Sequence, residues 1–107
     1  MHKIQSVVIA LPLLLSAFAL SAAEGRHNVI PKAGYVPNAE TAICIAVAVW
    51  TPIYGADNIA RQKPFRATLG ANGIWTVMGA PPQELGGVAI AEIAKADGRI
   101  LRVSHGK

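Results

Sequence analysis

The stretch from Val36 to Gly55, VPNAETAICIAVAVWTPIYG, carries the clearest periodicity in the chain. Ile43, Ala46, Val47, Trp50, Ile53 and Tyr54 recur at steps of three and four, which places them on one face of a helix. Asn38 is positioned to cap its start, because a short side-chain oxygen there can accept from a free N–H of the first turn. Glu40 falls where the positive end of the helix dipole favours a carboxylate. Gly55 suits the position just past the end. Pro52 is discordant and predicts a kink or an early stop, since it removes one backbone bond and disfavours helix at Thr51. A helix from Asn38 to Tyr54 would span about 25 Å, enough to cross a sheet whose strands run about 20 Å. Its opposite side, with Cys44, Ile45, Ala48 and Val49, is also apolar. Such a helix is expected to be buried on more than one side, under the N-terminal arm or under another chain.

Downstream the period changes. Ala56 to Gln62 reads as a short second helix, ended by Lys63-Pro64. Phe65–Leu69, Ile74–Gly79, Gly87–Ala94 and Arg99–His105 then read as four strands, with the loop 80–86 between the middle two. Asn72-Gly73 and Asp97-Gly98 mark hairpin turns. Parity decides the loop lengths. A two-residue turn at Asn72-Gly73 would set Leu69 against Thr76 and mix polar with apolar groups. A three-residue loop ending in Gly73 sets Leu69 against Trp75 and Ala67 against Val77. The same reasoning predicts a three-residue loop ending in Gly98. That pairs Ile93 with Leu101, Ala91 with Val103 and Glu92 with Arg102. The expected class is therefore α+β: one long N-terminal helix and a short second helix, packed on a four-stranded antiparallel meander.

This register gives two unlike faces. Phe65, Leu69, Trp75, Val77, Ala89, Ala91, Ile93, Leu101 and Val103 form the core face, whose alanines leave room for the helix. Ile43, Val47, Trp50 and Ile53 are expected to pack there, each contributing about 1.5–3 kcal/mol before entropy is subtracted. The other face carries Arg66, Thr68, Ile74, Thr76, Met78, Val88, Ile90, Glu92, Ile100, Arg102 and Ser104. Nearly half of it is sizeable and apolar, more than a solvated sheet face needs. A greasy patch rimmed by charge is the composition of a protein contact. The candidate contact residues are Arg66, Met78, Ile90, Glu92, Ile100, Arg102 and Ser104. The alternatives are cover by the arm at residues 24–35 or pairing of two copies as a homodimer.

The N-terminus adds a compartment. A basic start at Lys3, an apolar run from Val7 to Leu15 and the small residues Ser21-Ala22-Ala23 read as a secretory signal cleaved after Ala23. The expected organisation is a signal peptide at 1–23, an irregular arm at 24–35 and one domain at 36–107, exported to the periplasm. Membrane contact would come only through the uncleaved signal. A single cysteine excludes an internal disulfide, and Cys44 reads as a small buried hydrophobe. The net charge of +4 is mild, and nucleic-acid binding does not suit an exported chain.

Candidate chemistry is sparse. The spacing of His, Cys, Asp and Glu matches no metal site, the glycines match no phosphate loop, and no catalytic or cofactor-binding residue is indicated. His105 lands beside Ala89 at the rim of the core face and lacks an acid partner. Trp50 and Trp75 read as core aromatics whose indole N–H groups need acceptors.

Four stretches, GYVPNAETAI (34–43), PIYGADNIARQKPFRATL (52–69), GIWTVMGAPP (73–82) and GGVAIAEIAKADGRILRVSHGK (86–107), give the chain a family likeness. It resembles the immunity proteins with a nuclear-transport-factor-2-like (NTF2-like) fold, from bacterial polymorphic toxin systems. The chain departs from that family on the long helix, where charged residues near Cys44 and Val47 would be expected. The resemblance implies a curved sheet wrapped on a helix and a non-enzymatic protein that neutralises a cognate toxin by binding it. With a secretory signal, that toxin would act in the periplasm. Two other readings remain at this stage. One is a periplasmic binding or inhibitory module resembling PepSY domains, suggested by the IAKADGRILRV hairpin. The other is a small-ligand-binding protein of the same fold, which would need a pocket between Trp50, Trp75 and His105.

Overall fold

The computed structural model of the chain describes residues 27–81 and 86–106. The expected signal peptide, the first part of the arm, and the middle of the 80–86 loop lie outside the described residues. Of two compact units, Met1–Ile30 and Pro31–Lys107, the second contains every helix and strand described.

Helix α1 spans Ala39–Tyr54 and α2 spans Ala56–Ala60. Asn38 caps α1 as its sequence position suggests. Its Oδ1 accepts from the Thr41 N–H at 2.9 Å and from the Thr41 hydroxyl at 2.8 Å. Gly55, at φ 92°, closes the helix, and its N–H donates to Thr51 O at 2.9 Å. Pro52 does not stop the helix early, contrary to one of the two outcomes its position suggested. Only the last turn follows it. The one bond it removes belongs to the carbonyl of Ala48, an exposed residue whose carbonyl water can satisfy. The Thr51 hydroxyl bonds back to Val47 O at 2.7 Å in the same turn.

The strands are β1 (Arg66–Leu69), β2 (Ile74–Met78), β3 (Ala89–Ala94) and β4 (Ile100–His105), in an antiparallel meander of order β1-β2-β3-β4. The α+β architecture is the expected one. The first hairpin has the anticipated register, with Leu69 opposite Trp75 and Ala67 opposite Val77. Its loop, residues 71–73, ends in Gly73 at φ 78°.

The second hairpin differs. Ala91–Val103 and Glu92–Arg102 pair as expected, but Ile93 stands opposite Ile100, and the register shifts between Glu92 and Ile93. The Ala94 N–H donates to Arg99 O, so the loop is the four residues 95–98, still with a left-handed glycine, Gly98 at φ 76°. The extra loop residue is cancelled by a bulge at Leu101, and parity is restored beyond it. Leu101 is consequently 42% exposed instead of entering the core, and Leu69 at the other sheet edge is 43% exposed.

Helix α1 lies against β1, β2 and β3. The side chains it buries completely are Ala42, Ala46 and Trp50, one every four residues. They meet Val77, Ala89, Ala91 and Ile93, all fully buried, with Trp75 nearly so. Alanines from both the helix and the sheet thus enter the core beside Trp50, and the bulkier Ile43 and Val47 pack against it, partly buried. Ile53, expected in the core, falls in the last turn and is 57% exposed. The two indoles are satisfied: Trp50 Nε1–H donates to Ile90 O at 3.3 Å and Trp75 Nε1–H to Val36 O at 2.8 Å. The Trp50 and Phe65 rings tilt together at 5.8 Å.

Val36 is itself fully buried, a core residue the periodicity did not flag. The segment before it is tied to the β3–β4 turn. The Tyr35 N–H bonds to Ala96 O, the Val36 N–H bonds to Lys95 O, and Lys95 Nζ donates to Ala33 O. Gly34 is required there, at φ 84°, because a Cβ would sit 2.4 Å from the Lys95 carbonyl oxygen.

The far side of α1 is not the buried surface its composition suggested. Cys44 and Ala48 are exposed, and Ile45 and Val49 are half-buried. Cys44 therefore does not fill a core position: it stands on the turn between Ala42 and Ala46 that points away from the sheet.

Candidate functional site: the outer sheet face

Cross-strand pairing carries two rows of outward positions over all four strands. One is Arg66, Met78, Ile90 and Ser104; the other is Thr68, Thr76, Glu92 and Arg102. They alternate with the buried Val77–Ala91 row, so strand pleating fixes their side. Of the seven candidate contact residues, the structure brings six into these rows. Ile100 is the exception, because the Leu101 bulge sets it opposite the core-facing Ile93, where it is 39% exposed.

The first row is apolar at its centre and basic at one end. Met78 is 40% exposed, Ile90 and Ser104 are half-buried, and Arg66 is exposed. The Ser104 hydroxyl oxygen is buried without a hydrogen-bond partner. Glu92 and Arg102 meet across the strands at 3.4 Å as a solvated pair, worth about 1 kcal/mol or less. Beyond Met78 the face opens into a hollow of about 290 Å³, lined by Pro64, Arg66, Met78, Gly79, Ala80, Pro81 and Val88.

Beside this hollow, where Gly79 and Ala80 meet Gln62, lies a polar centre that the sequence did not announce. Gln62 is buried at 3% exposure. Its Oε1 accepts from the Ala89 N–H at 2.8 Å, its carbonyl accepts from the Ala80 N–H at 2.7 Å, and its Nε2 lies 3.0 Å from His105 Nε2. His105 stands opposite Ala89, as its parity indicated, and its ring packs on Tyr54 at 5.0 Å. Gly79 is glycine because a Cβ would meet the Gln62 side chain at 2.4 Å. A Gln two residues before a Pro, at a helix end, gives no periodic signal of burial.

Acidic residues are scattered. Glu40 and Asp57 are exposed, each in the first turn of its helix, and Asp97 accepts the Arg99 N–H at 3.0 Å within the turn. Among the described residues, no three His, Cys, Asp or Glu side chains could share a metal ion, and no helix is long and apolar enough to cross a membrane. Trp50 and Trp75 are packed into the core, as expected of them.

A family model described as NTF2 fold immunity protein matches residues 41–107, more than half of the chain and all six elements apart from Ala39 and Glu40 of α1. The chain belongs to the NTF2-fold immunity proteins. This immunity protein is also 37% identical over 86 residues to a protein of Escherichia coli strain K12 described as the uncharacterized protein YhhH. That likeness covers 78% of this chain and 65% of the relative, so the chain spans less than two thirds of YhhH. No solved structure matches significantly.

Proposed function

We propose that this immunity protein is exported to the periplasm and neutralises a cognate toxin by binding it directly, without catalysis, through the outer face of its sheet. The observation that carries the reading is the make-up of that face. Met78 and Ile90 form an apolar centre, with Arg66 at one end of their row and the Glu92–Arg102 pair beside them. Protein interfaces combine an apolar centre with a polar rim in this way. The family to which the chain belongs supports immunity as its role, and a toxin as its partner. The basic start, apolar run and Ser21-Ala22-Ala23 ending support export.

The test is co-expression with the protein encoded by the neighbouring reading frame, directed to the periplasm. Cells should survive when the immunity protein carries residues 1–23 and die when it lacks them. Equal protection without those residues would overturn the periplasmic site, and no protection by either form would overturn the toxin assignment.

A further inference from the structure

We infer that His105 and Gln62 form an acid-operated relay: when the imidazole takes up a second proton, the Gln62 amide turns over and releases the backbone N–H of Ala89. The relay stands apart from the toxin assignment and does not depend on it. Gln62 is 3% exposed and Ala89 is fully buried. With the ring neutral, the Ala89 N–H donates to Gln62 Oε1 at 2.8 Å, which turns Gln62 Nε2 towards His105 Nε2 at 3.0 Å. An amide nitrogen only donates, so the ring nitrogen facing it carries the lone pair.

Protonation removes that lone pair, and two donors then face each other across 3.0 Å. A half-turn of the amide relieves the contact, because it brings Oε1 to the imidazolium N–H in a charge-assisted bond. The amide turns in place, since Gly79 packs so close that a Cβ there would meet Oε1 at 2.4 Å. The same half-turn sets Nε2 against the Ala89 N–H, and burial keeps water from replacing the lost oxygen. Ala89 opens β3, and its neighbour Ile90 stands in the outer row beside Met78. Acid sensed at the sheet rim is thus felt at the start of a strand on the outer face.

The surroundings of the ring are nearly free of charge. Tyr54, the titratable residue that α1 brings to it, packs on it at 5.0 Å. Ala89 faces it from β3 and Gln62 from the segment after α2. Arg61 and Lys63, which flank Gln62 in the sequence, are exposed. Among the described residues no carboxylate pairs with the ring, whose Nδ1 lies 3.0 Å from Gly106 O.

The test is an NMR titration of the isotope-labelled full chain from about pH 8 to about pH 5, the window in which histidine side chains charge. The Ala89 amide proton should move upfield with the His105 ring signals and share their midpoint. Its hydrogen exchange, corrected for the intrinsic rate, should become about tenfold faster at the acid end. In His105→Gln, which keeps an acceptor for Gln62 Nε2 but cannot charge, the Ala89 amide should hold its shift and its protection throughout. An Ala89 amide that stays put while His105 titrates, a ring that remains neutral across the window, or an unchanged Ala89 response in His105→Gln overturns the inference.

Discussion

The side chain of Gln62 and the ring of His105 fix each other's hydrogens. The Ala89 N–H can only donate, so the Gln62 atom facing it is Oε1, and Nε2 turns to His105 as a donor. His105 Nε2 must then accept, which leaves the ring hydrogen on Nδ1, 3.0 Å from Gly106 O. The neutral Nδ1–H tautomer is the expected state, and long-range proton–nitrogen correlation spectra of the ring at neutral pH check it. Dominance of the Nε2–H form would contradict the arrangement.

Gln62→Leu should destabilise the protein by about 1–3 kcal/mol, because it leaves the buried Ala89 N–H without an acceptor. His105→Ala, at the sheet rim, should cost less. Urea denaturation of the two variants gives the comparison.

Two glycines with left-handed backbones should respond unequally to alanine. At Gly73 a Cβ meets nothing within 4 Å, so only the backbone cost of about 1–2 kcal/mol applies. At Gly34 the same cost is joined by a collision with the Lys95 carbonyl oxygen at 2.4 Å. Gly34→Ala should therefore lower the melting temperature clearly more than Gly73→Ala.

Trp50→Phe keeps most of the buried ring but loses the bond to Ile90 O. It should cost about 1–3 kcal/mol, against about 3–5 kcal/mol for Trp50→Ala, which also leaves a cavity. Chemical denaturation measures both.

Cys44 should react with a thiol reagent in the folded protein at a rate near that of the unfolded chain, because it is exposed on α1. Strong protection, released only by denaturant, would show that its side of the helix is covered.

Where period and parity act, the sequence is readable. The Asn38 cap, the Gly73 loop, the Glu92–Arg102 pairing and the outer rows all follow from spacing. Parity predicts a Gly98 loop one residue shorter than the one observed, because a bulge and a longer loop compensate and parity beyond Leu101 is blind to the exchange. The helical period puts Ala46 and Trp50 on the buried face, as observed, but passes over Ala42, whose small side chain is fully buried in the core with Ala89 and Ala91. Gln62 and Val36 carry no local signal, since each is buried by tertiary hydrogen bonding and packing.

The central claim is that the outer sheet face binds the toxin, and calorimetric titration of the neighbouring frame's protein into the full chain tests it most directly. Met78→Asp on that face should weaken binding at least about tenfold with the melting temperature held, as charge is placed in an apolar contact. Ala48→Asp, on the exposed far side of α1, should bind as the wild type does. Undiminished binding by Met78→Asp, or loss of binding by Ala48→Asp alone, would contradict the account.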